Sequence, residues 1–360
     1  MFLPVLLVRD YGVWGWIVFA VPNVIGAAAM GWVLKSPRSS IELARKHREA
    51  CTYFSAVTIA FHFFFVLIVI APLASAFAPR QAVDLALGSV LAGGILMFIL
   101  MTRQRGADRG LAIFALLISL GAMGGTIFDI ARTPEEVPQL GASFAPDLLW
   151  LAPVCCFGFA LCPYLDLTFH RARQNSSSPK SSFGVGFGVL FLAMIVFTLI
   201  YSKAIHPPNT QLLSGLLVVH MTVQTAFTIA AHSRELQYAP PRAAIIATVL
   251  TALSWVALWC IRRTDLGGQI DPAELIYRVF MGFYGLVFPA YVWLVIVPGT
   301  GPNRRNLVVF AVAVLLAMPM FWMGFVLGRM IWLVPGLATV LLARLLVGRI
   351  SAPQQNSAPI

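Results

Sequence analysis

His62 and His220 sit inside long apolar runs. An ionisable group there costs about 2.5–3.5 kcal/mol on insertion scales and is a functional suspect by default. His220, Gln224 and Thr228 recur at i, i+4 and i+8, with Thr225 beside them, so they share one helix face. A single polar residue can be glue between helices; a stripe of four fits a water-filled cavity or a polar solute. The imidazoles would hydrogen-bond that solute or relay protons, and Asp166, at the end of an apolar run, is a third relay candidate. Plainer readings stand beside these. Asp129 and Asp166 could be interfacial groups, and each histidine could be neutral and satisfied by a helix neighbour.

The stretch LLWLAPVCCFGFALCPYLDLTFHRARQ, from Leu148 to Gln174, offers a second chemistry. Pro163 lacks a backbone N–H and crowds the preceding turn, so Gly158 to Pro163 is expected to unwind. Tyr164 to Arg173 would follow as a short half-helix. Broken helices present free carbonyls to polar solutes near the bilayer midplane, here those of Gly158 and Ala160, with Tyr164 beside them. The alternative is a proline kink with no ligand. Asp166, His170 and Arg171 form a thin interfacial cluster that an enzyme acting on a lipid-linked substrate could use. A membrane scaffold or sensor, with the stripe packed dry, is the third reading.

The elements that position these residues are membrane helices. Only 11% of the 360 residues are charged, against roughly 25% in soluble domains, and the mean hydropathy is +0.84. The apolar residues lie in blocks near the ~20 residues that cross a bilayer, and backbone in lipid must satisfy itself. The expected fold is an all-α polytopic bundle of about eleven spans, at 11–34, 51–77, 85–102, 110–131, 147–166, 183–202, 211–232, 242–261, 274–297, 306–327 and 330–348. Residues 1–350 form one transmembrane domain, divided by a flexible linker at 167–182, and 351–360 form a disordered tail. Met1 to Val8 reads as the end of a helix; either the first span is short or the true start lies upstream.

Lys35, Arg38, Arg103, Arg105, Arg171 and Arg173 fall in one set of alternate loops, and the opposite set, with Arg80, Arg132 and Lys203, is poorer. The richer set is expected inside. That places the protein in a bacterial inner (plasma) membrane with residue 1 outside and the C-terminus cytoplasmic. The net charge of +11 is therefore topological, and no nucleic-acid motif accompanies it. The cysteines have no metal spacing, and no P-loop, HExxH or GxSxG is present, so neither a metal nor a cofactor is expected. The partners are the lipid bilayer and a small-molecule solute. Gly121, Gly124 and Gly125, Gly184, Gly186 and Gly188, and the Gly324/Gly328 pair are expected at helix contacts.

The order of spans resembles the leucine-transporter fold of the amino acid–polyamine–organocation superfamily, which includes sodium/solute symporters. That fold has two inverted five-helix repeats whose first helices are broken. The stretch FLPVLLVRDYGVWGWIVFAVPNVIGAAAMGWVL is similar to helix 1b running into helix 2, and PYLDLTFHRA to the inner half of helix 6. The resemblance covers the chain by topology and by no specific motif. It implies a secondary transporter with His62 on helix 3 and His220, Gln224, Thr225 and Thr228 on helix 8. Thr225 and Thr228 are three apart, unlike the adjacent hydroxyl pair that these families use for sodium, which leaves proton coupling through a histidine or aspartate, or a non-transporting relative, as the alternatives to sodium coupling.

Overall fold

The computed structural model describes residues 3–132, 145–204, 211–237, 239–263 and 270–347. Among these there are helices and no strands. Ten helices are long and apolar enough to cross a membrane. In chain order they are α1 (Leu3–Val33), α3 (Arg48–Ala74), α4 (Ala82–Arg103), α5 (Ala107–Arg132), α6 (Leu148–Leu165), α8 (Pro179–Ser202), α9 (Gln211–Leu236), α10 (Pro241–Arg263), α11 (Pro272–Ile296) and α12 (Arg304–Val326). The eleventh expected span is a shorter apolar helix, α13 (Met330–Leu346), packed against α12. Two amphipathic helices, α2 (Pro37–Lys46) and α7 (Leu167–Gln174), pack on each other. The chain is thus an all-α polytopic membrane bundle. Side chains such as Ile25, Leu117, Ile245 and Leu315 stand exposed on its sides, as a surface facing lipid requires.

Local chemistry sets the helix ends. Ser36 caps α2 by accepting from Ser39 N at 3.1 Å, with Pro37 in the first turn. Asp271 caps α11 through Ala273 N, and Asn303 caps α12 through Asn306 N, both at 2.8 Å. These side chains satisfy amides that a helix start leaves orphaned.

The first helix is two helices joined by a bend. It begins at Leu3 and folds back at Gly12, whose φ of 61° and ψ of −150° only glycine adopts readily. The fold is sharp: a Cβ at Gly15 would overlap the carbonyl oxygen of Leu7, although residues eight apart in a straight helix lie about 12 Å apart. The short limb Leu3–Tyr11 is the middle of the bundle. Leu7 packs with Phe19 and Leu148, Val5 with Phe65 and Tyr201, and Leu6 with Phe54 and Tyr277.

The expected break at Gly158 to Pro163 is displaced. The α-helix continues to Leu161, and Gly158 O accepts from Cys162 N. A 3-10 turn runs from Cys162 to Leu165, and the chain breaks at Asp166. Pro163 fits the first turn of that 3-10 segment and removes only the donor to Phe159 O. Gly26 on α1 packs on this carbonyl so closely that a Cβ would overlap it.

Of the expected linker 167–182, only residues 175–178 lie outside helices; residues 351–360 are outside the described residues. Glycine contacts are fewer than expected. Gly125, Gly184 and Gly324 meet Leu216, Trp32 and Leu333, while Gly121, Gly124, Gly186 and Gly188 face open space. Gly328 is a turn residue with φ +70°.

Gly12→Ala should lower stability by about 1–3 kcal/mol, the cost of a non-glycine residue in such a backbone region. Thermal unfolding of the detergent-purified protein would read this as a lower midpoint. An unchanged midpoint would mean that the bend tolerates a Cβ.

Candidate functional site

A cavity of about 520 Å³ lies where α1, α3, α6, α9 and α11 meet, within the size range of small-molecule sites. Seven of the residues singled out from sequence line it: His62, Gly158, Asp166, His220, Gln224, Thr225 and Thr228. Two do not. Ala160 is exposed on the far side of α6, about 200° around the helix from Gly158. The Tyr164 ring packs toward Met30, Leu34 and Phe183, and its carbonyl accepts from His170 Nε2 at 3.0 Å.

The polar wall can be built proton by proton. His62 Nδ1 lies 2.7 Å from Thr58 O. A carbonyl only accepts, so this nitrogen carries the proton and Nε2 keeps its lone pair. Thr58 Oγ1 donates to Phe54 O at 2.8 Å and accepts from the Tyr284 hydroxyl at 3.0 Å. On α9, Ser119 from α5 organises the stripe. Its hydroxyl donates to Ala115 O at 2.8 Å and accepts from Gln224 Nε2 at 2.7 Å. His220 Nδ1, 2.9 Å from the same oxygen, must then be a donor, which again leaves Nε2 as an acceptor. Thr228 Oγ1 donates back to Gln224 O at 2.9 Å. Ser119 carried no sequence signal, being one serine in an apolar run.

Proline also shapes this wall. In α11 a π turn spans Phe283–Val287, and Phe288 N donates to Phe283 O. The next residue, Pro289, has no N–H, so Tyr284 O is left without a helical donor. Cys162 Sγ donates to it at 3.3 Å. Gly158 allows the approach, since a Cβ there would stand 2.8 Å from Tyr284 O. The carbonyl freed at the cavity is therefore that of Tyr284, not those of Gly158 and Ala160.

Charged groups close both ends. At one end Arg9 on the short limb of α1 bridges Glu274 on α11 at 2.8 and 3.0 Å and Asp10 at 2.6 Å. Arg278 binds Glu274 and donates to Phe325 O at 2.9 Å. At the other end Asp166 caps α7, accepting from Thr168 N at 2.8 Å and Thr168 Oγ1 at 2.7 Å. Its second oxygen faces His232 Nε2 at 3.9 Å, and His232 Nδ1 meets Ser55 Oγ at 3.1 Å. His232 continues the α9 stripe to i+12, where its place at the end of the apolar run hides it from a sequence pattern.

Asp166, His170 and Arg171 do not converge. His170 is buried, with Nδ1 on Ser40 Oγ at 2.8 Å and Nε2 on Tyr164 O; it ties α2 to α7. Arg171 pairs with Glu235 instead. Two residues further on, buried Arg173 donates to Leu34 O at 2.6 Å, closing the end of α1. His47, between α2 and α3, meets the Tyr291 hydroxyl at 3.1 Å. Burial, aided by Lys46, pushes its pKa from 6.5 down to about 4, and burial lowers that of His170 as well.

No protein-family model, no curated protein and no solved structure matches this chain.

Two measurements follow from these assignments. Ring ¹⁵N spectra should show His62 and His220 as neutral Nδ1–H tautomers at pH 7.5, and Ser119→Ala should change the His220 signal and leave that of His62. Nε2–H signals in the wild type would contradict the proton assignment. Separately, His47 binds its proton more tightly in the unfolded chain than in the folded one. Stability should therefore be full above pH 6.5 and decline as pH falls from 6.5 toward about 4. Unfolding midpoints across that window should fall less steeply in His47→Gln.

Proposed function

We propose that this chain is a secondary-transporter-like membrane protein that moves a small polar or amphipathic solute through the central cavity. The observation that carries the reading is the α9 stripe. Four polar side chains and His232 line one cavity in the middle of the bundle. The wall mixes these groups with aromatic faces, as small-molecule sites do.

The helix pairing supports a leucine-transporter-like inverted repeat. If α1 and α3 to α5 form one repeat and α6 to α11 the other, α3 corresponds to α9 and α4 to α10. The contact of α4 with α9 then has its counterpart in that of α10 with α3, and α3 and α9 pack on each other. The short limb of α1 corresponds to α6, and both end at the cavity. In this reading the Glu274 end faces outward. The Asp166 end faces the cytoplasm of a bacterial plasma membrane, as does the C-terminus, in keeping with the Lys and Arg bias. Protons are the coupling ion, carried among His62, His220 and Asp166, with His232 beside Asp166.

The test has two arms. Thr228→Cys in membranes should react with small water-soluble thiol reagents, since the cavity is reached by water in a working carrier. Proteoliposome uptake, once a solute is found by ligand-induced thermal stabilisation, should drop about tenfold or more in His220→Ala. Inert thiols at position 228 would refute the carrier reading. Full uptake by His220→Ala and by His62→Ala would remove the site from it.

A further inference from the structure

We propose that the end of the bundle where α12 starts and α13 stops holds the headgroup of an anionic phospholipid. The inference is independent of the carrier reading and adds a ligand bound outside the central cavity. It starts from charge. No Asp or Glu follows Glu274 in the chain, so the positive groups on α12 and α13 have no carboxylate on their own helices. Arg304 and Arg305 open α12 and are exposed, and Arg344 lies in the last turn of α13. Contacts gather them into one patch. Arg305 Nε donates to Leu346 O at 3.0 Å, and the Arg344 guanidinium lies 5.8 Å from the Trp293 ring centroid. Lys46 reaches the same place from α2, donating to Gly299 O at 2.8 Å, and a Cβ at Gly301 would overlap its side chain. Arg304, Arg305 and Lys46 make no ion pair among the described residues, whereas Arg171, Arg234 and Arg242 at the same end of the bundle each meet a carboxylate.

The backbone supplies donors beside these side chains. The Arg304 and Arg305 amides start a helix of 23 residues and have no acceptor among the described residues, since Asn303 takes only the amide of Asn306. A helix start of this kind attracts an anion. A buried side chain marks the same place independently. Asn306 is wholly buried, and its Oδ1 has no partner. With Nδ2 toward Thr300, the Thr300 hydroxyl accepts from Asn303 at 3.1 Å and from Asn306 at 2.7 Å, and its own proton has no acceptor. The O and N of an amide are told apart by the bonds they make. The opposite orientation lets Thr300 donate to Asn306 Oδ1 and leaves a buried N–H2 unpartnered in the first turn. Either way at least one buried polar atom of this turn is unsatisfied, which is costly. The second orientation is the one that a phosphate oxygen completes.

The apolar surroundings identify the ligand as a lipid. Leu345 is 74% exposed, more than any other large hydrophobic side chain among the described residues, and Leu342, Leu346 and Val308 stand exposed on the same two helices. A free phosphate would gain nothing from these side chains, whereas an acyl chain covers them. Depth agrees. Helix α13, from Met330 to Leu346, is about 26 Å long, short of a ~30 Å hydrocarbon layer. Its Arg344 end therefore lies where headgroups meet acyl chains. A basic pocket between membrane helices at that level takes anionic headgroups. A second copy of the chain would instead bring like charges together.

The test uses the full chain in a neutral detergent and two lipids with the same acyl chains, phosphatidylglycerol and phosphatidylcholine. Thermal unfolding midpoints and native mass spectra are recorded against lipid concentration, with sodium phosphate as a third probe. Phosphatidylglycerol should raise the midpoint and stay bound at concentrations about tenfold below those that phosphatidylcholine needs. R304Q/R305Q should weaken phosphatidylglycerol binding about tenfold or more, because each basic residue near a membrane surface contributes several-fold. R103Q/R105Q, which removes the same charge from the loop between α4 and α5, should leave the binding within about twofold. The wild-type comparison of lipids stands even if R304Q/R305Q does not fold. Equal binding of the two lipids, or equal loss in the two double variants, overturns the proposal. So does stabilisation by sodium phosphate that matches phosphatidylglycerol, which would make the ligand a free anion.

Discussion

A hydrogen-bond donor inside hydrocarbon has no water to fall back on. That constraint makes every span of this chain a helix, and it also organises what lies between the spans. Pro163 and Pro289 each leave a carbonyl without its helical donor. One is covered by Gly26, and the other takes the Cys162 thiol. The same rule fixes the cavity wall. Serine and threonine hydroxyls turn back to carbonyls on their own helices, and the histidines spend Nδ1–H on Thr58 and Ser119. The polarity of the cavity is thus a by-product of satisfying the helices around it.

The space exists because α1 folds back. A straight helix from Leu3 to Val33 would be about 46 Å long, well beyond a ~30 Å hydrocarbon layer. The bend at Gly12 brings the short limb into the centre, where Val5, Leu6 and Leu7 each join a different core cluster. This limb separates the α1–α6–α8 side of the bundle from the α3–α4–α9–α10 side. Close approach at Gly15, Gly26 and Gly158 allows backbones to pack where side chains would not fit.

Ions hold the two ends by different means. The Arg9–Glu274–Arg278 group ties the short limb to α11 through a bidentate Arg9–Glu274 contact, and to Phe325 on α12 through a single bond from Arg278. In a low-dielectric setting such pairs are strong when complete and costly when broken. At the Asp166 end Arg171 and Arg234 share Glu235, and Arg234 also pairs with Asp108 at 3.3 Å, which ties α7 to α9 and α5. Asp166 is spent on capping α7, and helices α2 and α7 are held by Ser40, His170 and Arg173. Movement of the bundle that opened either end would have to exchange its charged contacts together.

Much of the membrane architecture was legible in the sequence, because apolar length and the need for internal backbone bonding act locally. The α9 stripe was legible for the same reason: a 3.6-residue period puts His220, Gln224 and Thr228 on one face whatever they face. Positions that depend on a partner were not. Ala160 points away from the cavity, the break falls at Asp166 rather than at Gly158, and His170 and Arg171 serve α2 and Glu235. Ser119, which sets the tautomer of His220, is an unremarkable residue until α5 is laid against α9. The sequence by itself determined the helices, their apolar faces and the polar groups inside them, since these follow from neighbours within a few turns. Only the tertiary structure decided which of these polar groups line one cavity and which are spent elsewhere, because that depends on donors and glycines supplied by helices far apart in the chain.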